Sequence, residues 1–366
     1  MNFSMLQGQE KVRDILIKTA NNGQLPNSYL FSGPEGVGKW AAALSLTAYL
    51  NCNNPASDDS CGTCPSCKQI SKLQHPNLFI AIPTPPSKTE KEELDNYWEI
   101  LGNKIAEPYS LITGQRQMSI PVTTVRQIKK KLNQKADLSG KRVIIIDQMD
   151  RMLTSSADAL LKLVEEPPRD TLIIITSSNP EKLLDTIVSR CRVISFPRLS
   201  EDVISSYLIE KEIAVDKKAY LLARLSQGSI GRALYLSEDD ITQDREIAKL
   251  IFKGIFLGPA INVITEAGDL LPYRDRFRIT RILGFWQSLY RDLILIKNGY
   301  DKEKLINIDY AAELERLAAR NIAGEPLLKI PSYLGEVIHD IELNVDTQTA
   351  IAALLIEIQN RLNLQI

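Results

Sequence analysis

The sequence predicts two architectures in one chain: a parallel β-sheet flanked by helices in the amino-terminal half, and an all-helical carboxy-terminal part. Three observations carry this. The aliphatic runs Val143-Ile144-Ile145-Ile146 and Leu172-Ile173-Ile174-Ile175 are continuous rather than alternating, the pattern of strands buried on both faces. A glycine-rich turn at residues 33–39 sits between the short apolar run Tyr29-Leu30-Phe31 and a helical stretch, Trp40 to Leu50. Beyond Pro197 strand signals vanish and helical stripes take over. A length of 366 residues calls for two or three domains.

The remaining elements follow in order. Between the two aliphatic runs, Ala157 to Val164 has helical apolar spacing and stops at Glu165-Glu166-Pro167-Pro168, where proline bars further helix. Strand, helix and strand at this spacing argue for a doubly wound α/β domain. Thr84 to about Ser119 is polar, opens Thr84-Pro85-Pro86-Ser87 and contains the charged run Lys88 to Glu93; it reads as an exposed, partly helical insertion. In the segment Arg276 to Lys297, residues Ile279, Ile282, Leu283, Trp286, Leu289, Leu293 and Ile296 form one stripe. Ile351, Leu354, Leu355, Ile358 and Leu362 form another. Both belong to a helical bundle whose stripes face core or partner.

Composition excludes several classes. Lys plus Arg number 44 against 45 Asp plus Glu, a net charge of −1, so the chain is no polybasic coat for nucleic acid. Hydrophobic residues at 44% and charged residues at 24% rule out wholesale disorder. No apolar run nears the ~18 residues of a membrane span, and Met1-Asn2-Phe3-Ser4-Met5 lacks the basic-then-apolar order of a secretion signal. The expected compartment is the cytoplasm, with no membrane partner.

Gly33-Pro34-Glu35-Gly36-Val37-Gly38-Lys39 satisfies G-x-x-x-x-G-K. The glycines let backbone amides wrap around phosphate oxygens, the following helix terminus adds partial positive charge, and the lysine reaches the terminal phosphates. The next position calls for a Ser or Thr hydroxyl on magnesium, yet it is Trp40, whose indole has only an N–H donor. Asp147, at the carboxyl end of a predicted strand, is placed to hold magnesium through water. Its successor is Gln148, where a hydrolase would need a glutamate to polarise water; Asp150 points elsewhere from the strand end. Both departures favour weak or absent hydrolysis.

Four of the five cysteines cluster as Cys52-x8-Cys61-x2-Cys64-x2-Cys67. Four thiols in a tight loop suit tetrahedral zinc, and with no open coordination position the site is structural. An iron–sulfur centre and unliganded thiols are the alternatives. His75 reads as a turn residue, and Cys191 as a buried apolar thiol.

Assembled, these pieces resemble the delta-prime subunits of the bacterial clamp loader, AAA+ proteins of the DNA polymerase III holoenzyme. The matching stretches are Gly8-Gln9-Glu10; residues 29–39; the module ending Cys64-Pro65-Ser66-Cys67; residues 159–168, Ala-Leu-Leu-Lys-Leu-Val-Glu-Glu-Pro-Pro; Ile187-Val188-Ser189-Arg190-Cys191; and residues 228–234, Gly-Ser-Ile-Gly-Arg-Ala-Leu. The resemblance implies that Arg190 is an arginine finger reaching into a neighbouring subunit's ATP site, where a guanidinium stabilises phosphate charge only when two subunits meet correctly. From the residues alone, Arg190 equally reads as a helix cap or a local salt bridge. Arg232 is similar to the second nucleotide sensor, although motor subunits commonly carry that arginine at the place held here by Gly231. Ser178 falls in the first-sensor region, and a simple strand-end cap is an equal reading of it. Lys129, Lys130 and Lys131 fit a solvated helix face, with DNA contact in an assembled ring as the alternative.

The expected chain is thus an AAA+ P-loop α/β domain over residues 1–198, carrying the zinc module (52–67) and the insertion (about 84–119). A helical lid (199–240) and an all-α collar for oligomerisation (241–366) follow. Gly33, Gly36, Gly38, Lys39, Asp147 and Arg232 form a degenerate nucleotide site for ATP and magnesium. The resemblance implies a subunit without catalysis of its own that works with the delta and gamma/tau subunits to load the sliding clamp onto primed DNA. The rivals are an active AAA+ motor subunit, gamma/tau-like, and a zinc-containing module that binds DNA alone.

Overall fold

The chain is described by a computed structural model over residues 2–112, 118–132, 140–152, 160–161, 163–238, 241–320, 324–342 and 345–362. It divides into two compact units, Met1–Ser237 and Glu238–Ile366.

The first unit is built on five parallel strands, β1 (Ser28–Ser32), β2 (Leu78–Ala81), β3 (Arg142–Ile146), β4 (Thr171–Ser177) and β5 (Arg192–Ser195), in the order β2-β3-β4-β1-β5. The aliphatic runs occupy the middle of the sheet. Every residue of β4 is buried, as are Val143 to Ile146 of β3. Because side chains alternate along a strand, the runs feed two cores. Val143, Ile145, Leu172 and Ile174 pack on one face with helices α1 (Glu10–Asn21) and α2 (Lys39–Leu50). Ile144, Ile146, Ile173 and Ile175 pack on the other face with Leu160, Leu163 and Val164. The predicted start of that last helix, Ala157 to Ala159, and Lys162 lie outside the described residues.

Helix α3 (Pro65–Ser71) closes the cysteine module, and α4 (Glu90–Ala106) lies in the polar segment 84–119. The expectation of a simply exposed insertion is corrected here. One face of α4 turns inward, with Leu101 and Lys104 buried, and Tyr109 and Ile112 are buried just beyond it. The reason is helical spacing: Tyr97, Leu101 and Lys104 stand four and three residues apart and so share a face. Tyr97 Oη donates to the Ile80 carbonyl at 3.1 Å, fastening α4 to β2.

Helix α5 (Val122–Leu132) packs Val125, Ile128 and Leu132 onto the second core and leaves Lys130 and Lys131 exposed. The short α6 (Asp185–Val188) leads into β5. Beyond β5 all regular structure among the described residues is helical: α7 (Glu201–Glu210), α8 (Asp216–Leu225) and α9 (Ile230–Glu238) complete the first unit.

The second unit comprises α10 (Ile241–Leu257), α11 (Ala260–Leu270), α12 (Arg276–Lys297), α13 (Ala311–Ala318), α14 (Gly324–Glu342) and α15 (Thr347–Arg361). The stripe on α12 is buried from Ile279 to Leu293, and that of α15 from Ile351 to Leu362, so both face this unit's own core. Trp286 donates its indole N–H to the Ala248 carbonyl at 3.0 Å. Asp244, fully buried, accepts from Arg278 and Arg281, satisfying a carboxylate that would otherwise be costly to bury.

Candidate functional site

The glycine loop joins β1 to α2, as its spacing predicts. Gly36 and Gly38 adopt left-handed φ angles of 71° and 107°, which side chains rarely tolerate. What lies against the loop is protein. The Gly231 N–H donates to the Gly36 carbonyl at 3.1 Å, and Ser229 Oγ donates to the Glu35 carbonyl at 2.7 Å. The first turn of α9 therefore rests on the loop's crest. A Cβ at Gly36 would stand 2.8 Å from Gly231 Cα.

Lys39 does not extend into the cleft. Its ammonium donates back to the Gly33 and Pro34 carbonyls at 2.5 and 2.6 Å. Burial draws its pKa from 10.5 down to about 8, against the opposing pull of Asp147, Glu35 and Asp150. Trp40 is buried at the start of α2, and its ring receives a different cation: Lys104 Nζ lies 5.3 Å from the ring centroid.

At the strand end, Asp147 Oδ1 accepts from Thr176 Oγ1 at 2.6 Å, and Oδ2 pairs with Lys104 Nζ at 3.3 Å. Lys104 is 5% exposed and Asp147 3%. Gln148, in left-handed conformation, donates its side-chain N–H to Glu35 Oε1 at 2.6 Å. It lies where the water-polarising glutamate of a hydrolase would be, and an amide there cannot take a proton. Asp150 is committed to Ser178, accepting from both its backbone N–H and its hydroxyl. The plain strand-end reading of Ser178 therefore describes what is seen. Arg232 is half-buried and does not line the cleft, whose walls include Gly36, Gly38, Lys39, Lys104, Tyr109 and Asp147.

The cavity these residues enclose is small, about 20 Å³, room for about one ordered water. Gly36, Gly38, Lys39 and Asp147 are brought together as predicted, Gly33 opens the loop beside Phe196, and Lys104 and Tyr109 fill the middle. Sequence reasoning missed these two; the Tyr97, Leu101, Lys104 spacing was the available signal.

The four cysteines converge. Their sulfurs all lie within 4.8 Å of one another, with Cys52 and Cys64 4.0 Å apart. A tetrahedral zinc with bonds of about 2.3 Å requires sulfurs about 3.8 Å apart, so the donor set fits. Backbone N–H groups of Cys61, Cys64 and Cys67 point at the sulfurs of Cys52, Cys61 and Cys64 at 3.3–3.4 Å, an arrangement that favours thiolate. Those bonds draw the Cys61 thiol below its usual pKa, while burial pushes Cys67 up. A zinc ion held by Cys52, Cys61, Cys64 and Cys67 would supply a structural cross-link. His75 stands outside this set: its Nε2 meets Ser66 Oγ at 3.0 Å and its Nδ1 accepts from the Asn77 N–H at 3.1 Å. Cys191 is half-buried against the second core, and burial raises its pKa to about 11, which disfavours the thiolate.

Arg190 follows α6 and leads into the edge strand β5, its side chain 43% exposed. One guanidinium nitrogen donates to the Thr186 carbonyl at 2.8 Å, and the other pairs with Glu165 at 3.1 Å. In the single chain it is thus both a helix cap and a local ion pair. No helix among the described residues is long and apolar enough to cross a membrane.

A parallel sheet carrying a glycine loop, a strand-end aspartate, a four-cysteine module and a following run of helices defines an AAA+ P-loop protein of the clamp-loader class. Residues 8–200 match the family described as "DNA polymerase III, delta subunit". The delta-prime subunit of DNA polymerase III from Bacillus subtilis is 24% identical over 353 residues, covering 96% of both chains. That of Escherichia coli is 26% identical over 356 residues, 95% of this chain and 93% of its own. The gamma/tau subunit of Mycoplasma genitalium is 30% identical over 335 residues, 86% of this chain and half of the relative. The chain belongs to the DNA polymerase III delta-prime family of clamp-loader subunits.

Proposed function

We propose that this chain serves in the clamp loader without turning over ATP itself, and that it lends Arg190 to the ATP site of a neighbouring gamma/tau-type subunit. The observation that carries the first half is the pair Trp40 and Gln148. An indole engaged with Lys104 stands where a hydroxyl would ligate magnesium, and an amide bonded to Glu35 stands where a carboxylate would polarise water. The exposed guanidinium of Arg190 beside the sheet edge supports the second half, since a finger acts only if a partner can reach it.

In this reading residues 1–198 are the AAA+ domain, 199–240 its lid, and 241–366 a collar through which the delta and gamma/tau subunits assemble. The complex, rather than this chain alone, engages the sliding clamp and primed DNA in the cytoplasm. The motor-subunit reading draws on the gamma/tau relative, but Trp40 and Gln148 oppose it.

The test is a reconstituted complex with wild-type chain or Arg190→Ala. Fingers contribute roughly 10³–10⁵ in rate at the site they serve. The variant is expected to assemble normally and to lose much of the clamp- and DNA-stimulated ATPase of the partner subunits. Unchanged turnover rejects the role in trans.

A further inference from the structure

The cleft that the fold family reserves for magnesium-ATP is lined here in part by residues of the polar insertion, Lys104 and Tyr109 among them. We propose that residues 97–109 of the insertion are a built-in occupant of the nucleotide cleft, with Lys104 as the cation that stands against Asp147 in place of a metal. The proposal extends the reading of a cleft without turnover and is independent of the role given to Arg190.

Three sets of contacts carry it. The first is charge. Lys104 Nζ meets Asp147 Oδ2 at 3.3 Å under the Trp40 ring, so the strand-end carboxylate and the non-ligating indole both face one internal ammonium. Glu35 is engaged in turn by Gln148 and by Arg151 at 3.5 Å, so among the described residues both carboxylates lining the cleft have partners within the chain. The second is volume. The Tyr109 ring stands against Gly38, where an added Cβ would lie 3.1 Å from ring carbon Cε1, and the space remaining is about 20 Å³.

The third is connection. The insertion bridges the sheet and the helices that follow it with protein groups. Tyr97 holds the Ile80 carbonyl of β2. Tyr109 Oη accepts from the Gln7 N–H at 2.8 Å and donates to the Met5 carbonyl at 3.1 Å. On the other side, Tyr207 of α7 donates to Glu107 at 2.8 Å, and its ring meets that of Tyr109 edge-on at 5.5 Å. Tyr109 and Glu107 thus tie the amino-terminal segment to α7 through protein groups.

The experiment uses the full chain and magnesium-ATP as the probe. Wild type is expected to show no saturable binding of a fluorescent ATP analogue and no shift in melting temperature at millimolar magnesium-ATP. Lys104→Met strands Asp147 without its partner and should lower the melting temperature by about 5–10 °C, with part of that loss restored by magnesium-ATP. Lys104→Arg keeps the cation and should stay insensitive to nucleotide. Should Lys104→Met fail to fold, amine labelling of wild type decides the matter. Lys104 should react at least about tenfold more slowly than the exposed Lys91, with or without magnesium-ATP, because reaction requires local opening. Saturable binding by wild type, a Lys104→Met protein as stable as wild type, one that magnesium-ATP leaves unshifted, or labelling of Lys104 at the rate of Lys91 would each overturn the proposal. None of these readouts depends on partner turnover, so the two readings fail separately.

Discussion

Lys39 gives a quantitative handle on the cleft. The residue is 6% exposed, its ammonium is bound to two loop carbonyls, and burial takes its pKa from 10.5 to about 8. The native protein thus holds this proton less tightly than the unfolded chain does. Below about pH 8 both states are protonated and the native state bears the whole cost of burying the charge. Between about pH 8 and 10.5 the native state has released the proton while the unfolded chain keeps it, so stability rises with pH. Integrated from pH 7 to 9.5, the gain is about 2 kcal/mol. Urea unfolding of wild type and Lys39→Met across that range isolates it, because tyrosines and cysteines titrate in both proteins and cancel in the difference. The stability of wild type relative to Lys39→Met should climb by about 2 kcal/mol. A flat difference would mean that Lys39 extends into solvent, and the account of the folded-back lysine would be wrong.

Two further outcomes follow from other parts of the first unit. Glu165→Gln should lower the partner ATPase of the reconstituted complex about two- to fivefold, the worth of an exposed ion pair, yet have no added effect in an Arg190→Ala background. An additive loss in the double variant would show that Glu165 does not act through Arg190. Metal analysis of the purified chain should find about one zinc, and stripping it with a chelator should lower the melting temperature of the first unit, because binding free energy at a structural site is folding free energy; a metal-free chain that melts like the loaded one would remove the structural role from the four cysteines.

Legibility in the sequence follows the range of the interactions involved. The runs forming β3 and β4 announce themselves because both faces of a central parallel strand are buried, leaving no polar residue to break the pattern. The end strand β2, Leu-Phe-Ile-Ala, shares that apolar run, whereas β5 at the other edge carries no such signal. β5 is Arg-Val-Ile-Ser with only Ile194 buried, and four residues at a sheet edge look like loop. The cysteine module was legible since its ligands are set by local spacing. Lys104 was legible only as a member of the inward-facing row Tyr97, Leu101 and Lys104; its partner Asp147 lies 43 positions further along the chain, and no local pattern names it. A lysine in a charged segment reads as solvated until the fold turns it inward. Arg190 is the intermediate case. The contacts it makes within the chain, to Thr186 and Glu165, are those a local reading anticipates, whereas a role in trans depends on a second chain that no intrachain pattern encodes.

The glycine loop also illustrates why a motif and its ligand can part company. Glycine is required at position 36 by what the folded chain itself puts there: the backbone of Gly231 lies so close that a Cβ would meet both its Cα and its N within 3 Å. That close approach, with the hydrogen bond from the Gly231 N–H, is a packing demand that stands whether or not phosphate is ever bound. The lysine has a comparable alternative, since the loop carbonyls it holds are groups of its own turn. Of the pattern's own glycines, Gly33 lies against the Phe196 carbonyl, and Gly38 against Leu6 and Tyr109, so each has a neighbour within the protein where a Cβ would stand. The residues that set this cleft apart from a hydrolysing one lie outside the pattern, at Trp40, Lys104 and Gln148, and each has a partner within the chain.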